Sequence, residues 1–149
     1  MATEKTTTPT PTYATLAELV ADMQQMAGDP LYATGSKMVI YRGNPAAKLM
    51  IVGEAPGPQE DKQGKPFVGP SGKLLDQILG SVHLESERDV FITNAVFRLP
   101  PGEDGKAVRK PTTPEINFGS IWIARIYYPN RRCHLWCSNL YSAPDPCNP

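Results

Sequence analysis

The sequence lacks an excess of either charge: 15 basic side chains stand against 15 acidic ones, for a formal net charge of zero. Proteins that grip long nucleic acid electrostatically usually carry a clear basic surplus. Composition alone therefore does not suggest a DNA-binding protein, and any such contact must rest on a few cations around one cleft. No apolar run is long enough for a membrane span, and none has the form of a signal peptide. The expectation is a cytoplasmic chain with no membrane partner. Cysteine is absent before position 133, and Cys133, Cys137 and Cys147 crowd the end of the chain. An odd count in a reducing compartment argues against a disulfide framework. Residues 1–12 lack an apolar stretch altogether. Their Thr/Pro run (Thr6, Thr7, Thr8, Pro9, Thr10, Pro11, Thr12) has too little apolar surface to offset ordering entropy, which predicts a disordered lead-in. What is present suffices for one core: 149 residues, 40% of them hydrophobic, is a single-domain length.

The first predicted element is a helix from about Leu16 to Ala27. Thr15-Leu16-Ala17-Glu18 fits a capping box, and Leu16, Leu19, Val20, Met23 and Met26 form one apolar face. Gly28 would supply a left-handed stop and Pro30 would prevent continuation. Met38–Tyr41 is a short apolar run that turns at Gly43-Asn44-Pro45. Leu49–Val52 is a second, ended by Gly53. Short runs without alternation predict strands covered on both faces, as in a parallel α/β sheet. A loop from Glu54 to Pro70 follows. Ser71 then caps a helix from Gly72 to about Leu79, with Leu74, Leu75, Ile78 and Leu79 facing inward. Val90–Thr93 is another buried strand and delivers Asn94 at its end. Strand, loop, helix, strand is a βαβ unit, and such sheets place their sites at the carboxyl ends of the strands. A Pro/Gly/Lys loop from Leu99 to Pro114 contains Lys106, Arg109 and Lys110, a basic group of the kind that is usually solvated. Thr113-Pro114-Glu115 reads as a helix start.

Three loop segments carry the chemistry: Gly53-Glu54-Ala55-Pro56-Gly57 running into Glu60-Asp61, Gly64-Lys65-Pro66-Phe67-Val68-Gly69, and Ser71-Gly72-Lys73-Leu74-Leu75-Asp76. Each alone is weak. In this order and spacing they resemble the signature of family 4 uracil-DNA glycosylases, as do Ile92-Thr93-Asn94-Ala95-Val96, Pro100-Pro101-Gly102 and the earlier Gly43-Asn44-Pro45. The match covers roughly residues 31–116. The resemblance implies a three-layer α/β/α fold with a parallel central sheet. It also implies hydrolysis of the N-glycosidic bond of uracil in DNA, a step of base-excision repair.

The residue types suit that chemistry. Enzymes acting on a base extrude it and read it by stacking and edge hydrogen bonds. Phe67, between glycine-rich turns, is the candidate stacking platform, although a loop phenylalanine tucked into the core would read the same way. Asn94 carries the donor and acceptor that a uracil edge requires, though alone it would be an ordinary strand-end turn former. Cleavage leaves positive charge on the sugar and negative charge on the leaving base. By resemblance Glu54 is the water-orienting carboxylate. Gly53 and Ala55 belong to the turn whose amides face the base. Glu60 and Asp61 are second choices that shape the loop or meet the pocket wall. Ser71 is the candidate phosphate contact at a helix N-terminus, and equally a plain N-cap.

Two departures from the family stand out. Its members hold an iron–sulfur cluster on four cysteines, and the positions matching three of them are here Met26, Asp29 and Arg98. Clusters need thiolates, so the expectation is no cofactor and no metal. Cys133, His134 and Cys137 are weak support for zinc. From Asn117 onward the composition changes and no helical or alternating pattern is expected to survive. This divides the chain into a lead-in (1–12), a partial glycosylase-like domain (13–116) and a poorly ordered tail (117–149). The fold would be incomplete at its C-terminus, as after a frameshift near codon 117. The expected partner is uracil-containing DNA, bound by a monomer. Activity would be weak or lost, and the alternatives are a non-catalytic base-binding remnant or a non-functional fragment.

Overall fold

A computed structural model describes residues 13–104, 108–127 and 134–137, with Tyr127 and the last four as backbone alone. The expected lead-in, Lys106, Cys133 and Cys147 lie outside the described residues. Helix α1 spans Leu16–Gln24, and the Thr15 hydroxyl accepts from the Glu18 amide at 3.2 Å. The Glu18 carboxylate reaches back to the Ala14 amide at 3.0 Å, which completes the reciprocal cap. The helix stops three residues short of the predicted Ala27. Gly28 is not left-handed; the positive-φ glycines are Gly35, Gly43 and Gly64.

Strand β1 is Tyr41–Gly43 and β2 is Leu49–Gly53. The predicted loop after β2 contains a helix, α2, at Pro58–Gln63. Helix α3 is Pro70–Ser81, β3 is Val90–Asn94, α4 is Thr113–Tyr127 and β4 is His134–Cys137. The strands lie in the order β1-β3-β2-β4. β2 pairs parallel with β3 and with β4, whereas β1 runs antiparallel to β3. The expected all-parallel sheet is therefore corrected to a mixed one. Only Asn44 to Lys48 separate β1 from β2, and a connection that short cannot make the crossover that a parallel strand requires. Gly43, at φ +88°, lets the chain turn there; a Cβ on it would lie 2.2 Å from the Val90 carbonyl oxygen.

Alternate residues of the strands feed two separate cores, as a period of two dictates. Met50, Val52 and Phe91 pack with Leu19 and Met23 of α1 and with Trp122, Ile123 and Ile126 of α4. Ile51, Val90 and Ile92 face the other way, toward Leu79 and Leu75 of α3. Phe118, Trp122, Ile123 and Ile126 share one face of α4, and Gly119 brings that helix against the backbone of Ala95. The expectation that no helical pattern survives Asn117 is thereby corrected. β4 follows as a further parallel strand beside β2.

Helix α3 departs from prediction at its start and on its face. Its N-cap is Gly69 with Pro70 at the first helical position, so Ser71 stands inside the first turn rather than capping it. Leu79 is buried and Leu75 half-buried, but Leu74 and Ile78 are 57% and 55% exposed. With Val82 they form an outward apolar stripe. No helix among the described residues is long and apolar enough to cross a membrane.

Candidate functional site

The register of the parallel pair sets Gly53 directly beside Asn94. Beyond both strands the chains stay joined: the Ala95 amide donates to the Gly53 carbonyl at 2.8 Å and the Val96 amide to the Glu54 carbonyl at 3.0 Å. The two strand ends singled out by sequence thus form one ledge. Onto it comes the Phe67 ring. A Cβ on Gly53 would lie 2.5 Å from Phe67 Cζ and 2.4 Å from Asn94 Oδ1. The ring, the amide and the bare Cα therefore share one spot, and a side chain on Gly53 would have to displace the other two. Asn94 is buried.

Phe67 adopts a left-handed backbone, φ +55°, a conformation that costs a non-glycine residue roughly 1–2 kcal/mol. Its surroundings enforce that conformation. Glu60, buried in α2, accepts hydrogen bonds from the amides of Gly57 (3.2 Å), Val68 (3.0 Å) and Gly69 (2.7 Å). A carboxylate so engaged shapes the loop and has little left to offer a ligand edge. Its neighbour Asp61 turns away and accepts from the Lys37 amide at 2.7 Å. Gly72 packs its Cα against the Phe67 carbonyl; a Cβ there would fall 1.8 Å from that oxygen.

The remaining expected residues lie around this centre. Glu54 is exposed at the end of β2 and Ala55 follows it half-buried. Ser71 is exposed in the first turn of α3. Arg109 is not a free cation of the basic loop, because its guanidinium holds both carboxylate oxygens of Glu115 at 2.6 and 2.9 Å. That pairing and burial compete, and the Arg109 hydrogen bonds win, lowering the Glu115 carboxyl to about 2. Sequence reading passed over Arg42 altogether. It lies in β1, almost wholly buried, and donates to the Pro66 carbonyl at 3.0 Å and the Phe67 carbonyl at 3.2 Å. Its one legible sign was a guanidinium directly after the apolar run Met38–Tyr41, with no partner marked in the sequence.

Where the resemblance would set cluster cysteines, the chain has a different chemistry. Arg98 Nε donates to Asp29 at 3.0 Å, another guanidinium nitrogen donates to the Ser36 carbonyl, and both side chains are more than nine-tenths buried. Arg98 also stacks over the Tyr32 ring, 5.4 Å from its centroid. Met26 completes the set as a partly buried thioether. None of the three is a thiolate, so these residues do not fit as cluster ligands. Among the described residues no three His, Cys, Asp or Glu side chains gather as a metal site.

The family model described as the uracil DNA glycosylase superfamily matches residues 40–132, which extends past the break expected at Asn117. A type-4 uracil-DNA glycosylase of Archaeoglobus fulgidus is 39% identical over 110 residues, 74% of this chain and 52% of that protein. Enzymes of the same name from Saccharolobus solfataricus and Sulfurisphaera tokodaii are 45% and 49% identical, over 72% and 56% of this chain and 48% and 36% of theirs. The chain thus spans about half the length, or less, of these curated relatives. They overturn the expectation of no cofactor. They are type-4 enzymes, the type for which the resemblance itself implies an iron–sulfur cluster.

Proposed function

Because the chain belongs to the uracil DNA glycosylase superfamily, we propose that it carries the base pocket of a uracil-DNA glycosylase, hydrolysing the N-glycosidic bond of uracil in DNA during repair. The observation that carries this reading is the meeting of the Phe67 ring, the Asn94 amide and the bare Cα of Gly53 at the ends of two adjacent parallel strands. A base can reach such a ledge only after leaving its stack. There Phe67 offers a face, and stacking of this kind is worth about 1–3 kcal/mol per base. Asn94 supplies one donor and one acceptor to the base edge. Cytosine presents the opposite pattern, so admitting it would leave buried polar groups unpaired.

On this reading Glu54, exposed next to Gly53, orients water and stabilises the sugar cation. The turn from Gly53 to Ala55 offers backbone amides to the leaving base. Ser71, exposed in the first turn of α3, suits a DNA phosphate. Glu60 serves by fixing the loop. No step is routed through a cluster. Helices α1 and α4 on one sheet face and α3 on the other support a three-layer α/β/α arrangement. On this reading the working unit is a monomer on uracil-containing DNA in the cytoplasm.

Uracil release from a single-stranded, uracil-containing oligonucleotide, compared with Glu54→Ala, tests the reading. Release that the substitution abolishes is the expected result. Binding of the oligonucleotide without release would leave a non-catalytic base-binding module, and neither binding nor release would end the reading.

A further inference from the structure

The peptide unit joining Phe67 to Val68 is held at both of its polar atoms by opposite charges. Its carbonyl accepts from Arg42 and its amide donates to Glu60. The neighbouring units are held in the same manner, the Pro66 carbonyl by Arg42 Nε and the Gly69 amide by Glu60. The two charges come from different places: Arg42 from the edge strand β1, Glu60 from α2. Arg42 is in turn fixed by Asp76 of α3 at 2.7 Å, by Glu87 at 3.0 Å and by the Ser86 hydroxyl at 2.9 Å. Its side chain is 6% exposed. A buried guanidinium that spends two of its donors on consecutive backbone carbonyls sets the path of that backbone. The residue between those carbonyls, Phe67, is the one in the left-handed conformation.

We propose that Arg42 is a positioning residue that holds the Phe67 ring over Gly53 and Asn94, so that an edge-strand cation outside the loop motifs determines how the base platform is presented. The assignment deepens the base-pocket reading and rests on it for its meaning. The geometry it asserts is independent of any ligand. It also accounts for Asp76, which ends the third loop segment but stands on α3 rather than at the ledge: its carboxylate compensates the buried guanidinium. Lysine cannot replace arginine here, because one ammonium cannot span both carbonyls and both carboxylates.

The test reads the ring directly. In the NMR spectrum of the full chain, the Phe67 ring current displaces the Gly53 Hα and Asn94 side-chain amide signals. In Arg42→Gln those displacements are expected to collapse, while the methyls of Leu19 and Met23, on the opposite sheet face, keep their shifts. Should Arg42→Gln not fold, Arg42→Lys is read in the same way. Unchanged Gly53 and Asn94 signals overturn the assignment, and so does loss of signals on both faces alike in the lysine variant. Uracil release then separates this proposal from the reading beneath it. In an active protein, kcat/KM falls on the order of 10-fold or more in Arg42→Gln, and no further loss follows when Phe67→Ala is already present. An inactive wild-type protein whose Gly53 signal still responds to Arg42→Gln would remove the glycosylase reading and leave the positioning role standing.

Discussion

A methyl group added at Gly53 would overlap Phe67 Cζ and Asn94 Oδ1. Both atoms end side chains that can swing, so Gly53→Ala is expected to fold and to displace the platform. The predicted cost is about 1–3 kcal/mol of overpacking, with a much larger loss of uracil release; urea unfolding and an oligonucleotide cleavage assay measure the two separately. Gly72→Ala presses on the Phe67 carbonyl itself, and backbone cannot swing. Its melting temperature should fall further than that of Gly53→Ala. At this scale the sequence was most informative where residue type and chemistry coincide. Gly53, Phe67 and Asn94 were legible as a group from the order of their motifs. Arg42 was not, since its principal partners are backbone carbonyls, and no residue name marks a carbonyl as needing a donor. Glu60 was seen as an acid near the pocket, but its partners, three backbone amides, carry no sequence label either.

Among the elements, α4 shows how a helix can hide in an unfamiliar composition. Its start at Thr113-Pro114-Glu115 was legible from capping chemistry, and its length was not, because Asn117, Gly119, Ser120 and Arg125 interrupt the apolar pattern. Gly119 is a contact point instead of a weakness: a Cβ there would lie 1.7 Å from the Ala95 carbonyl. Gly119→Val should push α4 off the sheet and cost about 3 kcal/mol or more, visible as loss of the cooperative thermal transition. The entrance to the helix is pH-sensitive. Glu115, with its folded carboxyl lowered from 4.5 to about 2 by Arg109, stabilises the fold above the unfolded value and loses that contribution as pH falls from about 4.5 toward 2. Glu115→Gln is therefore expected to destabilise the protein by about 1–3 kcal/mol at pH 7 and to have little effect near pH 2, as chemical denaturation at the two pH values would show. Strand β1 was legible neither in place nor in direction: it spans Tyr41–Gly43 and shares only Tyr41 with the apolar run Met38–Tyr41, and its direction follows from the brevity of the turn rather than from its residues.

For the whole molecule, the segment after α1 and the segment after β3 are joined by the buried Asp29–Arg98 pair. Removing one partner strands a charge, so Asp29→Ala should cost about 3–5 kcal/mol, whereas a paired apolar replacement at both positions should be close to neutral. Differential scanning calorimetry of the wild type and these two variants distinguishes the outcomes. The order of the sheet carries a consequence for how the chain is made. β3 lies between β1 and β2, yet it is the last of the three to be synthesised: Tyr41 waits for Thr93, and Leu49 for Val90. A nascent chain lacking residues 90–94 has two strands that are not each other's partners in the folded sheet. Their edges stay open on the ribosome until the central strand emerges, so this stretch of synthesis, at about 5–20 residues per second, is the window in which a chaperone has most to shield. Slow codons placed just before position 90 should lower the soluble yield, and the same codons placed after 94 should not.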